Sequence, residues 1–221
     1  MIRKVVFATN EIYHIFNRGV EKRPIFEIKN DYLRFLDLIN YYRFANCPIR
    51  FSHFKRLNIE EKQKMFNYLI TESDQLVEIY THCLMPNHFH FLLKQVKEKG
   101  ISKFVSKILN GYSHYFNIRH KRIGHLFQGN FGAVRIEDGE QFLHVHRYIH
   151  LNPVTAYLLK FENLEKYKYS SYTEYLGKEQ GFCNTSAILS NFKKVKDYVA
   201  FIRDQVDYAR QLDKIKHLLL E

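Results

Sequence analysis

The run Pro86-Asn87-His88-Phe89-His90-Phe91-Leu92-Leu93 constrains this chain more than any other segment. Phe89, Phe91 and Leu93 recur at every second residue, which fits a strand with one apolar face, so His88 and His90 project together from the other side. Met85-Pro86-Asn87 reads as a turn from the preceding apolar run Val77 to Leu84, making the two runs neighbouring strands. Two imidazoles on one strand face form a candidate metal-ligand pair, although such a pair also serves as ordinary hydrogen-bonded structure. A second pair, His144 and His146, lies in Gln141–Ile149, whose pattern is helical. Residues two apart on a helix diverge, so that pair cannot chelate jointly.

The flanking text supplies the rest of a sheet and its cover. Glu11 to Asn17 alternates as an opening strand, and Asp31 to Ile39 follows with helical spacing behind an Asn30 or Asp31 cap. Residues 48–74 carry a second helical pattern through Ile59, Met65, Phe66, Leu69 and Ile70, read as an insertion. After the two strands, Ile101, Phe104, Val105, Ile108, Leu109, Tyr112 and Phe116 trace one helical face, and Phe131 to Ile136 provides a further strand. Strand, helix, two strands, helix, strand predicts an α+β fold: a ferredoxin-like antiparallel sheet with helices on one face. The helix around Tyr148 then closes over the sheet. A terminal helix through Phe192, Val195, Val199, Ile202 and Val206 makes a helical C-terminal extension.

Composition bounds the partners. With 46% hydrophobic and 16% aromatic residues in 221, the chain can bury a sizeable core, so its net charge of +11 decorates a folded surface. That charge favours a polyanion, with nucleic acid ahead of an acidic membrane because no basic amphipathic anchor stands out; a basic protein without such a partner is the alternative. No run approaches a membrane span, and Met1 to Phe7 does not resemble a signal peptide. Cys47, Cys83 and Cys183 are odd in number and form no Cys-x-x-Cys, which speaks against a disulfide framework or a cysteine zinc site. Free thiols in a cytoplasmic protein are the expectation.

Tyr148-Ile149-His150-Leu151-Asn152-Pro153 gives the histidine pair a context, since Tyr148 and Asn152 are four apart and share a helical face, with Pro153 limiting the helix. Together with Tyr13-His14-Ile15-Phe16-Asn17-Arg18-Gly19 and Gly124-His125-Leu126-Phe127-Gln128-Gly129, this ordered set resembles the single-tyrosine HUH transposases, and within them the REP-associated branch. The resemblance runs from about Tyr13 to Tyr175. It implies a catalytic domain over residues 1–160, followed at 161–221 by the aromatic segment Tyr167–Tyr175 and the helical extension. It further implies that Tyr148 attacks DNA to leave a 5′-phosphotyrosine and a free 3′-hydroxyl, with Mg²⁺ or Mn²⁺ at His88 and His90, and Asn152 in the third-ligand position. Asn152 before Pro153 also reads as a simple helix terminator.

The chemistry suits these residue types. A phenol with a pKa of about 10 is a poor nucleophile at neutral pH without help from a cation or base. A divalent ion neutralises the non-bridging phosphate oxygens. The basic turn containing Arg119, Lys121 and Arg122 offers phosphate contacts, and His125 or Phe127 offers a stacking surface for an unpaired base; a solvated loop is the bland reading. Arg18, at the end of the opening motif, is another candidate for the DNA strand. Where the family commonly has an arginine this chain has Asn130, and Arg135 is the substitute candidate. The expected activity is metal-dependent nicking and rejoining of single-stranded or hairpin DNA. A domesticated non-catalytic single-stranded nucleic-acid binding protein and a metal-dependent phosphoesterase using water are the alternatives. Relatives include both monomers and dimers with shared active sites, so a homodimer stays open.

Overall fold

The computed structural model describes residues 5–206; the first four residues and the part of the expected C-terminal extension from 207 onward lie outside the described residues. The elements in chain order are β1 (Ile12–Arg18), α1 (Lys29–Tyr42), α2 (Phe51–Phe54), α3 (Ile59–Glu72), β2 (Val77–Met85), β3 (His88–Gln95), α4 (Gly100–Arg119), β4 (Gly132–Arg135) and α5 (Gly139–Thr155), then α6 (Tyr172–Tyr175), α7 (Ser186–Leu189) and α8 (Val195–Arg203). Strand order is β2-β3-β1-β4, all neighbours antiparallel, the ferredoxin-like arrangement that the element order predicts.

Alternation sorts the side chains onto two faces. Tyr13 and Ile15 of β1 join Phe89, Phe91 and Leu93 of β3 in a core covered by α1 and α4. On α4, Ile101, Phe104, Val105, Ile108, Tyr112 and Phe116 are all buried, as their three- and four-residue spacing requires. The tyrosine helix α5 covers the other face, where Ile149, Leu151 and Val154 meet Tyr80, Cys83 and Leu92. The sheet is thereby enclosed between two helical layers, with the C-terminal segment completing the second.

Edge strand β2 is covered by that segment. Leu84 N–H donates to the Tyr169 carbonyl, Ser171 N–H to His82 and Asn184 N–H to Ile79, so the segment occupies much of the edge that another chain could pair with.

Local chemistry departs from the sequence reading at three points. Asp31 does not precede α1; it is the third helical residue, and its Oδ2 accepts from the N–H groups of Glu27 and Ile28 at 2.9 and 3.1 Å, the returning half of a capping box. The insertion forms α2 and α3, the latter capped by Asn58 and Glu61, but within α3 only Leu69 is buried while Ile59 and Ile70 face solvent. Pro153 does not limit α5 either. The helix runs on to Thr155, and the Ala156 N–H still reaches the Asn152 carbonyl at 3.0 Å.

Candidate active site

The face of the sheet beneath α5 carries the predicted histidine pair at its open end. Phe16 pairs with His90 and Arg18 with His88 across the β1–β3 ladder, so these four residues, with His14, project to the same side. From above, α5 lowers Tyr148 onto this surface, its ring centroid 5.6 Å from that of His90 and 6.0 Å from that of His14. Tyr148 is 40% exposed and so accessible to a macromolecule. One turn later Asn152 turns its side chain to His88, while its Nδ2 donates to the Tyr148 carbonyl at 2.9 Å. The structure therefore gathers His88 and His90 from β3 with Tyr148 and Asn152 from α5.

Two further residues set the imidazoles, and sequence reasoning assigned neither a role. Asn87 Oδ1 lies 2.6 Å from His88 Nδ1, and its own Nδ2 donates to the Lys22 carbonyl at 3.1 Å. An amide oxygen accepts only, so His88 carries its proton on Nδ1 and presents an Nε2 lone pair. His14 Nε2 lies 2.8 Å from His90 Nδ1, one ring donating and the other accepting. Contacts of this kind fix the orientation of an imidazole ring, as outer hydrogen bonds do for histidines that ligate metals. Alternation alone would have placed His14 on the His90 face; only the β1–β3 register reveals its contact.

Electrostatics keep the histidines neutral. Burial lowers the His14 pKa to about 4; burial, with Arg18 beside it, lowers His88 to about 4 against the opposing Asn152 hydrogen bond. His90 is held well below the usual histidine value by burial and then by His14, His88 and Arg18. Neutral imidazole is the form that binds a cation. Two such nitrogens and an amide oxygen form a coherent donor set, with open positions for water and phosphate oxygens.

The predicted DNA contacts divide. Arg18 is exposed on the site face, and the Gln128 N–H donates to its carbonyl at 2.8 Å, tying the 120–130 segment to the end of β1. Lys121 and His125 are exposed on that segment, and Arg122 is half-buried, bonded to Asn117. Phe127 is no stacking platform: it is buried in the core near Phe89 and Tyr112. Arg135 pairs with Tyr13, which turns it to the opposite face, where it holds Glu11 at 3.0 Å; it does not replace the family arginine at this site. Arg119 directs its Nε toward the buried Asp31 carboxylate at 3.9 Å, on the α1–α4 side of the sheet.

Phe16, unassigned from sequence, is the exposed aromatic beside the histidines, 5.1 Å from His14 and 6.0 Å from His90 between ring centroids. Its ring lies across β4, where a Cβ at Gly132 would fall 2.4 Å from it. The pair His144 and His146 diverges as expected: His144 is exposed beside Glu140, whereas His146 is buried between Thr81 and Tyr198. Among the described residues, no helix is long and apolar enough to cross a membrane.

Comparison with known proteins agrees with this architecture. A solved structure of a REP-associated tyrosine transposase bound to a REP hairpin is similar over 80% of this chain and 86% of its own, with 13% identity and a TM-score of 0.55. No curated protein matches the chain. The family model for IS200-like transposases matches residues 38–152, more than half of the 221 residues and inclusive of His88, His90, Tyr148 and Asn152. The protein that carries this histidine strand and tyrosine helix belongs to the IS200-like transposase family.

Proposed function

We propose that this protein nicks and rejoins single-stranded or hairpin DNA, with Tyr148 as nucleophile and with His88, His90 and Asn152 as the residues that hold Mg²⁺ or Mn²⁺. The observation that carries this reading is the convergence of the Tyr148 ring on His90 from α5, with Asn152 one turn along against His88. When bound, a divalent cation there neutralises phosphate charge and favours an anionic phenol oxygen.

The protein's own groups do the remainder. Tyr148 Oη forms a bond to phosphorus as the bond from phosphorus to the 3′-oxygen breaks, and that oxygen leaves with a proton as a 3′-hydroxyl. The 5′-phosphotyrosine conserves the bond energy, so a returning 3′-hydroxyl rejoins a strand by the reverse step. Asn87 and His14 fix ring orientation before substrate arrives. Arg18, at the same edge, contacts the strand's phosphates, and Phe16 offers a face on which an unpaired base stacks. Similarity to a REP-associated transposase captured with a REP hairpin supports a folded-back single strand as the substrate.

The test is incubation of wild type and Tyr148→Phe with end-labelled hairpin DNA and Mn²⁺. Wild type forms a denaturant-resistant adduct whose linked peptide contains Tyr148; the variant folds and binds DNA but forms none. An adduct on another tyrosine, or cleavage by wild type with no adduct, overturns the reading, the latter in favour of hydrolysis by water.

A further inference from the structure

Beyond the outer edge of β2, away from the face that carries His88 and His90, a second set of donor atoms converges. His82 comes from β2, Glu174 from α6 and Cys183 from the segment that follows, and one ligand atom of each lies within 4.8 Å of the others. His82 Nδ1 and Cys183 Sγ are 3.6 Å apart. We propose that His82 Nδ1, Cys183 Sγ and a Glu174 carboxylate oxygen form a structural site for a thiophilic divalent cation of the Zn²⁺ class, separate from the catalytic centre.

The separation of His82 Nδ1 and Cys183 Sγ suits a tetrahedral ion. Bonds of about 2.05 Å to nitrogen and about 2.3 Å to sulfur place those two donors about 3.6 Å apart at a tetrahedral centre. Imidazole, thiolate and carboxylate are all zinc ligands, and a mixed set of this kind requires no Cys-x-x-Cys. Cys183 and Glu174 are half-buried, which leaves room for water as the fourth ligand. Ligation releases the thiol proton to solvent; with Glu174 ionised, the ion and its two anionic ligands are neutral together.

The surroundings are built to hold these atoms. Phe182 stacks on the His82 ring at 5.1 Å, and the Cys183 N–H donates to Glu174 Oε2 at 2.9 Å. The backbone of Gly181 passes so close that a Cβ there would fall 1.9 Å from the Glu174 carboxyl carbon. Asn184 fastens the end of the turn to β2 through Ile79 and Glu78. A thiol hydrogen bond would account for Cys183 and His82 alone. It leaves Glu174 as a half-buried carboxylate that, among the described residues, makes no ion pair, at a cost in desolvation. A cation answers that cost.

The site would also support the catalytic helix. Ser171 Oγ accepts from His82 N–H at 3.0 Å and bonds His150 Nε2 at 2.8 Å, two residues beyond Tyr148. An ion that fixes the 181–184 turn against β2 stiffens the partner on which α5 rests.

The experiment is Co²⁺ substitution of the full-length protein, read as thiolate-to-cobalt charge-transfer absorption in the near ultraviolet, with thermal unfolding in Zn²⁺ and in chelator. The expected result is one such band per chain in wild type and in the His88→Ala/His90→Ala double variant, absent in Cys183→Ser. Zn²⁺ raises the melting temperature of wild type by several degrees and leaves Cys183→Ser unmoved. Glu174→Gln, which keeps the thiolate, retains the band with at least tenfold weaker affinity and decides the matter if Cys183→Ser does not fold. No thiolate band in wild type, a band insensitive to both substitutions, or a band lost only with His88 and His90, overturns the proposal.

Discussion

His14 Nε2 stands 2.8 Å from His90 Nδ1, so an imidazole on β1 holds the ring that α5 brings Tyr148 to meet. The tautomer in which His90 donates from Nδ1 is the one that leaves its Nε2 lone pair for a cation. His14→Ala removes this partner without removing a proposed ligand. Loss of such outer partners typically weakens metal affinity or activity about 10- to 100-fold. The Mn²⁺ concentration for half-maximal adduct formation should rise by that factor while hairpin affinity stays within about twofold of wild type. An unchanged Mn²⁺ requirement would show that His14 is only packing.

Arg18 and Arg135 both looked like phosphate contacts, yet the sheet sends them to opposite faces. Arg18→Ala should weaken single-stranded DNA binding and reduce the salt slope by about 0.7, the value for one phosphate contact. Arg135→Ala, which loses only an exposed pair with Glu11, should bind as wild type does. Equal losses in the two variants would contradict the assignment of faces.

Phe127, which the sequence offers as a stacking surface, is buried, whereas Phe16 is the exposed aromatic beside the histidines. Phe127→Ala hollows the core and should cost about 3–5 kcal/mol of stability in urea unfolding. Phe16→Ala should leave stability nearly unchanged but cost about 1–3 kcal/mol of single-strand affinity if a base stacks there. A Phe16 variant that binds at full strength removes it from the DNA surface.

Why these assignments were hidden has a physical answer. Strands and helices are written in local periodicity, so β1, β2, β3, α4 and the predicted site of Tyr148 could be read from the spacing of apolar residues and the motif order. Burial of Phe127 depends on Phe89 and Tyr112, which come from distant parts of the chain. The His14–His90 contact depends on cross-strand register, and the His82, Glu174 and Cys183 cluster joins residues up to 101 apart. Pro153 misled for a different reason: a proline breaks one helical hydrogen bond, but the packing of Leu151 and Val154 against the sheet carries α5 past it.

Buried histidines should make the fold acid-sensitive. Burial lowers the His146 pKa to about 3, whereas in the unfolded chain it is near the ordinary 6.5. Below the higher value the unfolded state takes up a proton that the folded state refuses, so stability falls as pH drops from about 6.5 toward 3. One such histidine contributes a slope of up to about 1.4 kcal/mol per pH unit in that window and nothing above it. His146→Gln, which can keep hydrogen bonds to Thr81 and Tyr198, should flatten the urea-unfolding free energy between about pH 6.5 and pH 5 by that amount. An identical pH dependence in variant and wild type would mean that His146 titrates normally in the folded protein.

The Tyr198 hydroxyl is shared by His146 Nε2 at 3.0 Å and His150 Nδ1 at 2.8 Å, while Thr81 holds the other side of His146 and Ser171 the other side of His150. A chain of hydrogen bonds thus runs from α8 through α5 to β2, with Tyr148 between the two histidines in sequence. Tyr198→Phe keeps the ring and its stacking on Tyr175 but strips one partner from each of two buried imidazoles. The cost should be about 1–3 kcal/mol of stability, because an unsatisfied buried polar group has no water to turn to. Since the network orients the helix that carries Tyr148, the proposed nucleophile, adduct formation should slow while hairpin affinity is retained. Removing the chain from Ser190 onward deletes Tyr198 and α8 together and should reproduce this split more severely. A Tyr198→Phe protein as stable and as fast as wild type would show that α5 is positioned by its apolar packing alone.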